Sequence, residues 1–137
     1  MAKAFPSDAQ VNLLVADDVR QELNKKISLS GFYPANKLNV KDLGANIVIP
    51  LAFIVIVTGG EGTFKFKIDF LLPSGVILFQ GPEVDLIKEP RLTAISLTKV
   101  IAFPLTVIGD YTINLYFDGK KYSRTLEVGH DPTLQAT

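Results

Sequence analysis

The sequence predicts an all-β protein: an antiparallel sandwich of two sheets, immunoglobulin-like in arrangement, with about eight short strands. The first observation is composition. Val, Ile and Thr provide 33 of the 137 residues, and nine Phe and four Tyr add further side chains that suit a pleated, half-buried surface. The second is that apolar and polar residues alternate over several short runs. The third is that Gly and Pro separate these runs at short intervals. A small closed β-barrel is the alternative architecture.

The first elements form a hairpin. In residues 11–16, Val11, Leu13 and Val15 alternate with Asn12 and an apolar Leu14, and the run is predicted to be a strand. Residues 17–23 fit either a short helix, in which Val19 and Leu23 share a face, or a strand with both on one side. Residues 27–33 read clearly as a strand, and we expect them to pair with 17–23.

Two strands follow in the middle of the chain. Residues 51–58 are apolar on both faces, whereas 63–70 place Phe and Ile on one face and Thr, Lys and Asp on the other. A further strand is predicted at 76–79. The intervening segments are expected to be connections: 34–46, with a short extended piece at 38–40, and 81–90.

The last three strands complete the sandwich. Residues 93–103 form a strand in which the apolar residues at 95, 97, 101 and 103 share a face with Lys99. Residues 111–117 alternate cleanly, and 122–128 return as the final strand. Asp118-Gly119 between them predicts a two-residue type I′ turn, which needs positive φ at both positions.

The domain boundaries follow from this assignment. Residues 11–128 are predicted to be one β-sandwich domain, and 1–10 and 129–137 to be flexible tails. The N-terminus carries no apolar core of a secretory signal, and the longest apolar stretch, 47–57, is too short for a spanning helix. We therefore expect a cytoplasmic protein.

The two ends of the predicted domain carry a family resemblance. The opening hairpin has an acidic Asp-x-Val segment and a second strand that ends in Gly followed by aromatic residues, and the closing hairpin begins Gly-x-Tyr. The segments concerned are 13–20, 26–33, 73–75 and 109–119, with 126–128. Over 11–128 the chain resembles a family of small bacterial β-sandwich proteins of unknown function. The resemblance implies the fold and a bacterial source, and it implies no substrate and no catalytic residues.

Charge and residue types exclude several classes of function. Fourteen basic and fourteen acidic side chains give a net charge near zero, which argues against nucleic acid or a membrane as the partner. There is no Cys, and His130 is the single His, so neither a thiol nucleophile nor a zinc site is expected. The glycine-rich run 59–62 precedes a strand and is interpreted as a hairpin loop rather than a phosphate cradle. We therefore predict no enzyme, no catalytic residue, no cofactor and no metal. A calcium site from Asp85, Asp110 and Asp118, or a metal-dependent hydrolase, ranks last.

Four residues are expected to have structural polar roles. Asp17 or Asp18 is predicted to pair with Arg20 or to accept a backbone N–H at a bulge. Tyr111 follows Gly-Asp at the start of a strand. This resembles a tyrosine corner, in which the hydroxyl bonds to nearby backbone.

Two surfaces are candidate binding sites. Tyr116, Tyr122 and Tyr33 are expected to be exposed and could stack on a sugar or another small molecule. The two-faced strand 51–58 needs a cover for its second face, which is either a loop (34–46 or 81–92) or another subunit.

We expect self-association through Ala52, Ile54 and Ile56, or through the alternate set of Phe53, Val55 and Val57. The leading function is thus a non-catalytic binding or protein-interaction module that forms a homo-oligomer or binds an unknown partner. A small-molecule or carbohydrate-binding sandwich is the alternative.

Overall fold

The computed structural model describes residues 3–23, 26–44, 47–131 and 133. It is all-β, as predicted, with two sheets that face each other. The strands are β1 (Val11–Gln21), β2 (Ile27–Tyr33), β3 (Lys37–Val40), β4 (Val48–Val57), β5 (Gly62–Leu71), β6 (Ile77–Gln80), β7 (Val84–Lys88), β8 (Ala94–Pro104), β9 (Gly109–Phe117) and β10 (Lys120–His130). The first sheet has the order β2-β1-β4-β8. The second has the order β3-β10-β9-β5-β6, and β7 also pairs with β5. No helix of the described residues is long and apolar enough to cross a membrane.

Most predicted strands are present, with two differences. Residues 11–21 form one continuous strand, so the strand interpretation of the segment after residue 16 is right. The predicted loop 81–90 contains β7, which pairs antiparallel with β5. Its inward positions are Leu86 and Lys88, both buried. The charged residue at an inward position hid the alternation that identifies a strand.

The main core lies between the sheets and is rich in phenylalanine. Phe53 of β4 packs against Phe70 of β5, with ring centroids 4.8 Å apart. Phe117 of β9 contacts Phe64 and Phe66 of β5 at 5.6 and 5.1 Å in edge-on arrangements. The Phe53–Phe70 pair connects the two sheets, whereas the Phe117 pairs lie within the second sheet. Such aromatic pairs add to the free energy of burial.

The second face of β4 is covered by the chain itself. Ala52 and Ile54 are fully buried, in a small cluster with Val19 of β1, and Leu29 of β2 packs against it. The ladder between β1 and β4 ends at the Ala16–Ala52 pair, while β1 continues with β2. The far half of this hairpin therefore folds over the outer face of the sheet.

This packing corrects the predicted self-association surface. Ala52 and Ile54 are buried and cannot contact a second copy, and only Ile56 of that set is partly exposed. The alternate set also has no free face, because Phe53, Val55 and Val57 lie in the main core. The cover is the β1–β2 hairpin rather than either predicted loop.

A bulge changes the face of β8. Ile49 is opposite Phe103 and Leu51 is opposite Val100, so Ile101 and Ala102 together face Pro50. The extra residue reverses the alternation. Phe103 therefore points into the core and is fully buried, contrary to the prediction that it shares a face with Lys99.

The folded domain extends beyond the predicted range 11–128 at both ends. Residues 3–10 lie against the end of the sandwich, where Ala4 bridges to Glu61 and Arg124 donates to the carbonyls of Asp8 and Val11. These contacts differ from the expected flexible tail. At the other end, β10 runs to His130, which pairs with β3 and lies 2.8 Å from the Lys41 carbonyl oxygen. Residues 132 and 134–137 lie outside the described part.

Candidate functional site

β8 is an edge strand of the first sheet. Among the described residues, β8 has a strand partner on one side only, β4. Residues 94–100 pair with β4 without interruption, and the bulge begins only after them. Ile95 and Leu97 on the outer face are 41% and 37% exposed. An edge with free N–H and C=O groups beside apolar side chains is a ready template for another strand.

A cavity lies on the inner side of this edge, between the two sheets. It measures about 320 Å³ and is lined by Phe66, Ile68 and Phe70 of β5 and by Ser96, Leu97 and Thr98 of β8, with other residues. It lies where β6 ends and β7 has not begun. There the N–H of Gly81 donates to the carbonyl of Ile68 at 2.7 Å. The cavity therefore lies beside the main core, and its β5 side chains remain buried.

A groove lies on the outer side of the same edge. It measures about 520 Å³, with Gln21 and Ile27 on one wall and Thr93, Ile95 and Leu97 on the other. In a flat four-stranded sheet the outer strands would be roughly 14 Å apart. Side chains of β2 and β8 can share one groove only because the sheet is bent, which makes its outer face concave.

An ion pair lies beside this groove. The Lys99 ammonium is 3.1 Å from a carboxylate oxygen of Asp18, so β1 and β8 are connected across β4. The hydrogen bond from Lys99 holds the pKa of the Asp18 carboxyl below its ordinary value. Asp18 therefore pairs with Lys99, not with the predicted Arg20.

Leu97 is the residue common to both cavities. A strand that paired with β8 would place alternate side chains above and below the sheet, toward the inner cavity and the outer groove. Main-chain hydrogen bonds supply affinity in this mode of recognition, and pockets for alternate side chains supply specificity. The geometry suits the binding of an extended segment.

The three predicted tyrosines do not form one platform. Tyr122 is 3% exposed and its hydroxyl donates to the carbonyl of Pro6 at 2.6 Å, so the prediction that it is exposed is wrong. Tyr33 is half-buried, and its hydroxyl donates to the Asp17 carboxylate. Burial and this hydrogen bond both raise the pKa of Tyr33. Tyr116 is half-buried on the outer face of the second sheet, where the Lys67 ammonium lies 5.2 Å from its ring centroid. Each of the three tyrosines therefore makes a contact within the protein.

The remaining predicted residues have local roles. The Tyr111 hydroxyl donates to the carbonyl of Val107 at 2.8 Å, which is the bond of a tyrosine corner. Asp85 and Asp118 each accept from a lysine, Lys65 at 2.7 Å and Lys3 at 2.6 Å. In the ranges that the structure describes, no group of three His, Cys, Asp or Glu side chains could hold a metal ion.

Sequence reasoning missed the edge of β8 because alternation shows which face of a strand is apolar, not which strand ends a sheet. It also missed Lys88, a buried charge in a segment assigned to a loop. Comparison of the chain with protein-family models and with curated proteins finds no significant match.

Proposed function

We propose that the protein is a non-catalytic interaction module that self-associates by pairing the β8 edge of one copy with the β8 edge of a second. The observation that carries the proposal is the uninterrupted free edge at 94–100, with a cavity on each of its faces. Pairing would join two four-stranded sheets into one of eight strands and cover the β8 edge of each copy.

The sequence of the edge is compatible with a two-fold axis. Antiparallel pairing about an axis perpendicular to the sheet places residues of the same face opposite each other. The midpoint of 94–100 is Leu97, so Leu97 would face Leu97 of the second copy. Ile95 would then face Lys99, and on the inner face Ser96 would face Thr98.

The energetics favour a modest affinity. Covering the remaining exposed area of Ile95 and Leu97 contributes about 1 kcal/mol each. Main-chain hydrogen bonds add to this, while association entropy opposes it. The zero net charge means that two copies do not repel each other over long range. We therefore expect a dimer at micromolar concentrations rather than a permanent complex.

The test replaces Leu97, which lies on the proposed two-fold axis, by a charged residue and measures dimerisation by sedimentation equilibrium. Leu97→Lys and Leu97→Glu each put like charges opposite each other, and we expect both variants to be monomers where the parent is a dimer. An equimolar mixture of the two should recover the dimer, because opposite charges then face each other. Leu97 is partly exposed, so both variants should remain folded.

The matched control is Val76→Lys. Val76 is an exposed apolar residue in the turn before β6, away from β8, and its replacement should leave the dimer unchanged. A parent that stays monomeric into the high micromolar range overturns the proposal. So does a Leu97→Lys variant that dimerises as strongly as the parent.

A further inference from the structure

A third cavity lies at the other end of β7 and does not involve the β8 edge. It is a cleft of about 390 Å³ between the end of β7 and the start of β5, and its lining includes Lys3, Glu61, Ile87, Lys88 and Glu89. We propose that this cleft binds a monocarboxylate with a short apolar chain, whose carboxylate pairs with the ammonium of Lys88.

Lys88 is the unusual group in the cleft. It is 3% exposed, and its ammonium donates to the Glu89 backbone carbonyl at 2.7 Å. Within the described ranges, no carboxylate forms an ion pair with it. A buried charge without a counter-ion is costly to the folded protein. An anion that reaches it therefore gains more than one that meets an exposed lysine.

The strand partner of Lys88 is Gly62, and its lack of a side chain makes room for Lys3 to pack beside the cleft. Gly62 has φ +129°, and a Cβ there would lie 2.9 Å from Cγ of Lys3. A residue with a side chain at this position would therefore have to displace Lys3. The aliphatic part of Lys3, together with Ile87 and Pro90, gives the cleft apolar walls. A ligand with an apolar body fits these walls better than a fully hydrated ion.

The other charged groups decide how much negative charge the ligand can carry. The Lys3 ammonium is occupied by Asp118 at 2.6 Å. Glu61 and Glu89 carry negative charge, and Glu89 is exposed. Water and salt weaken the repulsion from an exposed carboxylate, but they do not remove it. Because two carboxylates and one unpaired ammonium line the cleft, a singly charged ligand is favoured over a phosphate dianion.

The experiment uses three probes: octanoate, octan-1-ol as its neutral counterpart, and inorganic phosphate. Octanoate in excess should raise the melting temperature of the parent by several degrees, because it binds only the folded state. Octan-1-ol and phosphate should not. Lys88→Met keeps an apolar stem without the charge and should weaken octanoate binding by at least roughly tenfold. Lys65→Met, a surface lysine outside the cleft, should bind octanoate like the parent.

A second measurement does not depend on whether Lys88→Met folds. In the parent, octanoate should shift the backbone amide NMR signals of Gly62, Thr63 and Lys88 and leave those of β8 unchanged. The proposal is overturned by shifts confined to other regions, or by a Lys88→Met variant with unchanged affinity. It is equally overturned if octan-1-ol or phosphate stabilises the parent as much as octanoate does, or if octanoate has no effect.

Discussion

At the scale of single residues, the clearest case is the pair formed by Asp17 of β1 and Gly31 of β2. Gly31 has φ +65°, and a Cβ built there would collide with the carboxylate of Asp17 and lie 2.9 Å from its Cβ. That carboxylate is held by the hydroxyl of Tyr33, two residues along the same strand. The acidic segment and the Gly-aromatic ending of the opening hairpin are therefore parts of one contact.

This contact predicts the effect of Gly31→Ala. The variant combines backbone strain with a collision that Asp17 cannot relieve without losing Tyr33, so we expect a loss of about 3 kcal/mol in the free energy of unfolding. Urea denaturation measures it. Gly75→Ala is the matched control, because Gly75 has φ +89° but open space around its Cβ position. The control should cost only about 1–2 kcal/mol. Equal losses in the two variants would show that the Asp17 side chain can move away from the added methyl group without a measurable cost in stability.

At the scale of elements, the sequence predicted the positions of the strands well, but not which strands pack against each other. The alternation in 63–70 and 111–117 identified β5 and β9, and Asp118 and Gly119 both have the positive φ that their turn requires. Alternation reports one strand at a time, however. It revealed that β4 is apolar on both faces but not that the β1–β2 hairpin folds over it, since that cover depends on where β1 leaves β4.

The covered face predicts opposite outcomes for two neighbouring substitutions. Ile54 and Leu97 are directly opposite in the β4–β8 ladder, but Ile54 is fully buried and Leu97 is partly exposed. Ile54→Lys places an ammonium beneath the hairpin, and we expect a loss of at least about 3 kcal/mol in the free energy of unfolding. Leu97→Lys, measured as a monomer, should lose about 1 kcal/mol or less. Thermal and urea unfolding compare them. If Ile54→Lys were as stable as Leu97→Lys, the hairpin would not cover β4 in solution.

At the scale of the whole molecule, the two sheets are joined by the core and also by residues 3–10. This segment leads into β1 of the first sheet while it bonds to the second. Ala4 bridges to Glu61 beside β5, and the Tyr122 hydroxyl of β10 donates to Pro6. Phe5 lies over Phe64 with ring centroids 5.3 Å apart. The start of the chain gave no sign of this role, because its own backbone carbonyls accept most of the bonds and the donors are distant in sequence.

Removal of residues 1–9 should therefore destabilise the protein, although they precede every strand. The truncated chain loses the Tyr122 acceptor and the Asp8 acceptors of Arg124 and uncovers Phe64. We expect a loss of about 3 kcal/mol in the free energy of unfolding. Tyr122→Phe in the full chain is the matched control. It removes a single hydrogen bond and should cost only about 1 kcal/mol.

Urea denaturation of the three proteins compares their stabilities, and hydrogen exchange shows which part of the sandwich is affected. The amides of Phe64 and of β10 near Tyr122 should lose protection in the truncated protein first, because the opened end of the sandwich admits water there. A truncated chain with parental stability would mean that the segment lies on the end of the sandwich without holding it closed.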